Sequence, residues 1–242
     1  MRNFIKVFSF VLCISFLSAC ASMPQGRLTK KDAELPLKAV VIQNNKDISV
    51  KVPQTNLAGQ GGLLGALVSV AATEVSRQKR LPLLNKIKPA YKNSGAQSLG
   101  NKDYTNIVSK ANWIKGSRKV TLSNVSMNAN RETAKYEAKA NDVNAIVTIY
   151  NSHIFSETFK ELFSYLTVTI NDVTDNTMGK TIYSLNLIEA FTSPELITDE
   201  KFADSAVWTA NNGKLLKQAI THNNKSLEKQ LKNYMKDPFL PE

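Results

Sequence analysis

The C-terminal half of the chain carries the clearest alternation of apolar and polar positions. Val143 to Tyr150 is apolar almost throughout, as a strand covered on both faces would be. Leu166, Val168 and Ile170 alternate with threonines, and Tyr183, Leu185 and Leu187 alternate with polar residues, so each run reads as a strand with one buried face. Between them Asp172 to Lys180 is dense in turn formers, which predicts an antiparallel hairpin. The period then becomes helical. Residues 200–210 and 213–236 read as terminal helices broken near Asn211-Asn212-Gly213, with Leu215, Leu216, Ala219, Ile220, Leu227, Leu231 and Tyr234 on one side of the wheel.

Further upstream the signals are shorter. Leu37 to Val52 is rich in β-branched residues around Asn44–Asp47 and reads as a strand, or a strand pair with a turn. A helix starts near Pro82, which suits a first helical turn, and Asn93 to Lys102 reads as a loop. Asp103 can cap the next segment, Arg118 to Val125 alternates as a short strand, and residues 129–141 are rich in helix formers. The order is strand, helices, strand, helix, three strands, helix. It indicates an α+β fold: a two-layer domain with an antiparallel C-terminal hairpin and helices packed on the sheet.

One apolar stretch departs from these patterns. Leu57 to Ala72 is rich in glycine, and Gly61/Gly65 and Gly62/Ala66 form small-xxx-small pairs. Its apolar run is about half of the ~20 residues a spanning helix needs. A buried helix lying close against a sheet is the favoured expectation, and membrane insertion or oligomer contact through Gly61, Gly62 and Gly65 the other.

The first nineteen residues have their own organisation. Arg2 and Lys6 precede an apolar run from Val7 to Leu17, which fits the roughly 7–15 residues of a secretory h-region. Leu17-Ser18-Ala19-Cys20 resembles the lipobox of bacterial lipoproteins. That resemblance implies diacylation of Cys20, cleavage before it and acylation of the new amino terminus. Ala21 follows, with no Asp at that place, which by the same resemblance implies the periplasmic face of the outer membrane. The expected division is a signal peptide over 1–19, a flexible tether over 20–36 containing Pro24, Gly26 and Pro36, and a single α+β periplasmic domain over 37–242.

Composition narrows the chemistry. The chain has two cysteines; Cys13 leaves with the signal and Cys20 takes lipid, so the mature domain has no disulfide and no thiolate. There are 31 Lys+Arg against 20 Asp+Glu, an excess that reads either as a lysine-rich solvated surface, the favoured expectation, or as contact with anionic partners such as headgroups, polymers or acidic proteins. An exported chain is not expected to meet nucleic acid. His153 sits near a strand end and His222 in a helix, and neither has a second ligand at metal spacing, so both read as surface or strand-end residues. No Gly-x-Ser-x-Gly elbow is present, the glycines of 59–65 lack a Lys-Ser/Thr ending, and Asp172/Asp175 and Asp199/Glu200 fall in turns. Trp113 and Trp208 read as core. No catalytic residue, metal site or cofactor is expected.

The glycine-rich helix, the strand Val143–Tyr150 and the hairpin Ile170–Tyr183 together resemble exported lipoproteins of the TolB N-terminal type. That group includes the activator lipoproteins of penicillin-binding proteins and the curli-secretion lipoprotein. Its hairpins carry an Asp-x-x-Thr-Gly turn; here the turn is Asp175-Asn176-Thr177-Met178-Gly179, with a methionine between Thr and Gly. The resemblance implies a fold more than an activity. The expected function is a lipid-anchored, non-catalytic interaction or accessory protein that binds an envelope protein or itself. An oligomeric secretion or pore component is the second reading. An envelope hydrolase is the third, and would need an open pocket joining His153 or His222 to a nucleophile.

Overall fold

The β-branched run after Pro36 becomes β1 (Leu37–Asn45), buried on both faces from Ala39 onward. The computed structural model describes residues 36–51, 78–174, 177–196 and 205–236. Burial on both faces follows from position. β1 lies between β3 (Ile114–Ser123) and β4 (Ala145–Phe155) and is parallel to both. A two-residue strand, β2 (Ser49–Val50), rejoins the same edge of β4 at Ile154–Phe155. The segment around Asn44–Asp47 is therefore not a hairpin turn. Lys46 N–H donates to Asn151 O, which keeps the chain beside β4 instead of reversing it.

β4 continues antiparallel into β5 (Glu161–Thr174), and β5 into β6 (Thr177–Thr192). The sheet order is β3-β1-β4-β5-β6, with β2 alongside β4. The expected hairpin is present, and its strands reach further into the 172–180 segment than turn chemistry suggests, with Val173 opposite Met178. β3 also begins earlier than expected, because Ile114 finds Leu37 as a partner, with a bulge between Gly116 and Arg118.

Among the described residues, five helices pack on this sheet. Residues 78–93 form α1, already helical at Gln78, so Pro82 lies inside it rather than in its first turn. Pro82 and Pro89 both face solvent. The expected loop after Asn93 contains a short helix, α2 (Ala96–Gly100), started by Gly95 at φ 81° and a bond from Ala96 N–H to Ser94 Oγ. Asp103 Oδ1 accepts from Thr105 N–H at 2.8 Å at the start of α3 (Thr105–Ser109). α4 (Met127–Asn141) is capped by Ser126, and its Ala134 and Ala138 let it lie close on Val40, Ile42 and Ile146. α5 (Ser205–Tyr234) breaks where expected: Asn211, Asn212 and Gly213 all take left-handed φ, which Asn and Gly tolerate best.

The α+β class holds, and helices occupy both faces of the sheet. α4 covers the face of Val40 and Ile42, while α1–α3 and α5 cover the other. That second face carries two apolar clusters. The one nearer the start of β1 joins Leu37, Val41, Trp113, Val147, Val168, Leu227 and Leu231. The one nearer the β4–β5 turn joins Ile87, Phe155, Phe159, Leu162, Trp208, Leu216 and Ile220. Both tryptophans are core, as expected, and each finds a carbonyl for its indole N–H: Trp113 on Met235 O at 2.9 Å and Trp208 on Phe159 O at 2.8 Å.

Candidate functional site

Between the two apolar clusters runs a band of buried polar side chains. β1 supplies Gln43 and Asn45, β4 supplies Asn151 and His153, β5 supplies Ser164, and α5 supplies Asn223 and Asn224. The cause is α2. A helix end leaves carbonyls without intrahelical partners, and here that end points into the interior. Asn224 Nδ2 donates to Leu99 O at 2.6 Å, and Asn151 Nδ2 donates to Gly100 O at 2.6 Å. Gln43 Nε2 donates to Lys102 O, and its Oε1 accepts from Tyr104 N–H, at 2.6 and 2.7 Å. Gly100 has no room for a side chain, since a Cβ there would lie 2.6 Å from Tyr91 Oη and 2.9 Å from His153 Nε2. Gly100→Ala is expected to cost about 1–3 kcal/mol through overpacking. A urea titration would read this as a lower midpoint at constant slope, and an unchanged midpoint would count against it.

His153 and Ser164 stand 2.7 Å apart, a separation that a nucleophile and its base would show. Their surroundings give the pair another role. Nε2 of His153 meets Gly100 O at 3.1 Å and must carry the proton, because a carbonyl only accepts. Nδ1 then accepts from the Ser164 hydroxyl, whose oxygen accepts in turn from Asn223 Nδ2 at 3.0 Å. Every polar atom of the pair is spoken for, no carboxylate orients the ring, and both side chains are buried. Burial holds the imidazole neutral and pushes its pKa down to about 4. The surface or strand-end reading of His153 is thus corrected: it sits inside β4, facing α2 and α5.

His222 does lie on the exposed face of α5, with its ring 5.8 Å from that of Phe191. It lines a shallow groove with Lys217, Gln218, Thr221 and Lys225, and no carboxylate of the described residues shares that groove. Among the described residues no group of three His, Cys, Asp or Glu is placed to hold a metal ion. No helix among them is long and apolar enough to cross a membrane.

The accessible chemistry gathers elsewhere. A groove of about 640 Å³ opens between the α2–α3 segment and the end of α5. Its floor is Ile107, Ala111 and Met235, and its rim holds Lys102, Lys110, Lys232 and Lys236. The two acids in it are already engaged. Glu228 takes Lys102 on one oxygen and Lys232 on the other, at 2.7 Å for the second, and these hydrogen bonds hold its carboxyl below the usual range. Asp103 accepts from Thr105 and Asn106. Lys110 and Lys236 have no ion-pair partner among the described residues. A second groove of about 320 Å³ shares Glu228, Lys232 and Lys236 and adds Lys225 and Lys229, so the basic surface continues along α5.

This groove was only half visible in the sequence. Lys225, Lys229, Lys232 and Lys236 fall opposite Leu227 and Leu231 on the α5 wheel, and that stripe is a readable signal. Lys102 and Lys110 join it only through tertiary folding. The lipobox residues Leu17, Ser18, Ala19 and Cys20, and Gly61, Gly62 and Gly65 of the glycine-rich stretch, lie outside the described residues.

No family model matches the chain, and no curated protein matches it. Among solved structures it is similar to the PelC dodecamer from Paraburkholderia phytofirmans, at 11% identity over 85% of this chain and 98% of that one, with a TM-score of 0.27. A variant of the same dodecamer matches at 10% identity over 83% and 95% of the two chains, also at 0.27. A likeness at that level is too slight to assign a fold or a function.

Proposed function

We propose that this protein is a lipid-anchored, non-catalytic lipoprotein of the cell envelope, held through Cys20 at the periplasmic face of the outer membrane. There its α+β domain serves as a binding accessory. The observation that carries the binding role is the division of polar chemistry between inside and outside. The residues able to act as base and nucleophile, His153 and Ser164, are buried and hydrogen-bonded to their neighbours, while the accessible groove presents ammonium groups over an apolar floor. Fixed ammonium groups attract anions and offer no general base. Anchoring is supported by the Leu17-Ser18-Ala19-Cys20 box behind a basic and apolar leader. A double or triple acyl anchor on one residue holds far more firmly than a single chain.

Two measurements test the proposal. Cys20→Ser is expected to move the protein from the membrane pellet to the soluble fraction and to abolish acyl labelling; full membrane retention would overturn the anchor. Crosslinking in intact envelopes, followed by purification, is expected to trap a protein neighbour or a second copy. Recovery of bare monomer alone would overturn the accessory role.

A further inference from the structure

We infer that the lysine-rimmed groove between α3 and α5 is the membrane-facing surface of the domain and takes the anionic headgroups of the leaflet in which Cys20 is anchored. This rests on the anchoring proposed above.

Position is the first argument. The start of β1 is bonded to the groove wall: Leu37 N–H donates to Trp113 O, and Trp113 Nε1–H donates to Met235 O, both at 2.9 Å. Met235 is part of the groove floor, and Ala111 and Asn112 next to Trp113 also line it. The chain therefore enters the fold beside this groove. Sixteen residues separate Cys20 from Leu37. A chain of that length reaches at most about 55 Å. The end of the domain nearest Leu37 is therefore the end whose distance from an anchored Cys20 is most tightly bounded. The β4–β5 turn lies at the far end of β4.

Chemistry is the second argument. Among the described residues Lys110 and Lys236 have no ion-pair partner, and Lys102 and Lys232 share the carboxylate of Glu228. With Asp103 counted, the four lysines still outnumber the two acids lining the groove. Lys225 and Lys229 extend the charge along α5. A headgroup phosphate suits the ammonium rim, and the glycerol and upper acyl carbons suit Ile107, Ala111 and Met235. Lysine stems can lie along apolar surface while their charges reach the headgroup plane. Attraction of such a cluster to an anionic surface fades within a Debye length and with salt.

The test uses the mature lipidated protein in vesicles. With Cys13 removed and Cys20 acylated, an introduced cysteine is the only free thiol. A nitrobenzoxadiazole label is placed at Asn112→Cys beside the groove, or at Thr158→Cys in the distant turn. Vesicles are phosphatidylcholine alone or mixed with phosphatidylglycerol, each carrying a headgroup spin-label quencher. The label at position 112 is expected to be quenched severalfold more with phosphatidylglycerol, and salt should reverse the difference. Lys110→Gln combined with Lys236→Gln should abolish it, and position 158 should not respond. Equal quenching at 112 in both vesicles, or a response at 158 instead, would overturn the groove's role and leave the anchor standing. A response to soluble polyglutamate or inorganic phosphate, with none to phosphatidylglycerol, would also overturn it, in favour of an acidic protein or a free anion. Failure of the labelled protein to float with any vesicle would overturn the anchoring itself, and this inference with it.

Discussion

Trp208→Ala is expected to destabilise the domain by about 3–5 kcal/mol, the range for emptying a large aromatic site in a packed core. Trp208 is fully buried, and its ring meets Phe155 edge-on at 4.9 Å. A second effect adds to the cavity. Phe159 closes the β4–β5 turn at φ 58°, a left-handed conformation that bulky residues rarely adopt. What holds it there is the buried ring against Phe155 at 5.3 Å and the Trp208 indole N–H on its carbonyl. Alanine removes that restraint, so the turn is expected to relax as the cavity opens. Trp208→Phe separates the two contributions. It keeps most of the aromatic volume and loses the hydrogen bond, at an expected cost of about 1–3 kcal/mol for the stranded carbonyl. Chemical denaturation of the three proteins measures both. Equal stability of Trp208→Phe and the parent would show that the indole N–H does not restrain the turn.

The second large expectation concerns acid. His153 titrates near 6.5 in the unfolded chain and near 4 in the fold, because burial disfavours the imidazolium. The folded pKa is the lower of the two. Above 6.5 both states are neutral at this residue and stability does not depend on it. Between 6.5 and about 4 the unfolded chain binds the extra proton, so stability falls as pH falls, by on the order of 3 kcal/mol in all. Below about 4 both states are protonated and this contribution is flat. Protonating the buried ring would also put a proton on Nδ1, where it would face the Ser164 hydroxyl proton and force that network to rearrange. His153→Gln should start from lower stability near neutrality and lose the slope in that window. A variant with the same slope as the parent would assign the acid sensitivity to other groups.

The fold was legible wherever local pattern and tertiary environment agree. The alternation in Leu166–Ile170 and Tyr183–Leu187 reports strands with one fully buried face, and in β5 and β6 these apolar residues are buried while those between them are only half-buried. The break at Asn211-Asn212-Gly213 was equally plain, because those residue types give up helix most easily. What was not legible depends on partners distant in sequence. β1 and β2 look like a hairpin locally, yet each finds its neighbour about a hundred residues later in β4. α2 is only five residues long, too short to stand on propensity alone, and is held by contacts at its end. His153 seemed superficial because nothing in its neighbourhood announces that α2 will end against it. The groove was legible as a stripe on α5 and invisible as an enclosure.

The place of β1 also bears on the order in which the fold can close. Its two edges await residues 114–123 and 145–151, so the strand at the centre of the sheet is made early and paired late. The meander β4–β6 pairs with near neighbours in sequence and needs no such wait. Parallel pairing across long separations raises contact order, which slows folding and leaves strand edges open meanwhile. A chain emerging amino terminus first thus carries an open strand edge for about a hundred residues, until β4 arrives to shut it.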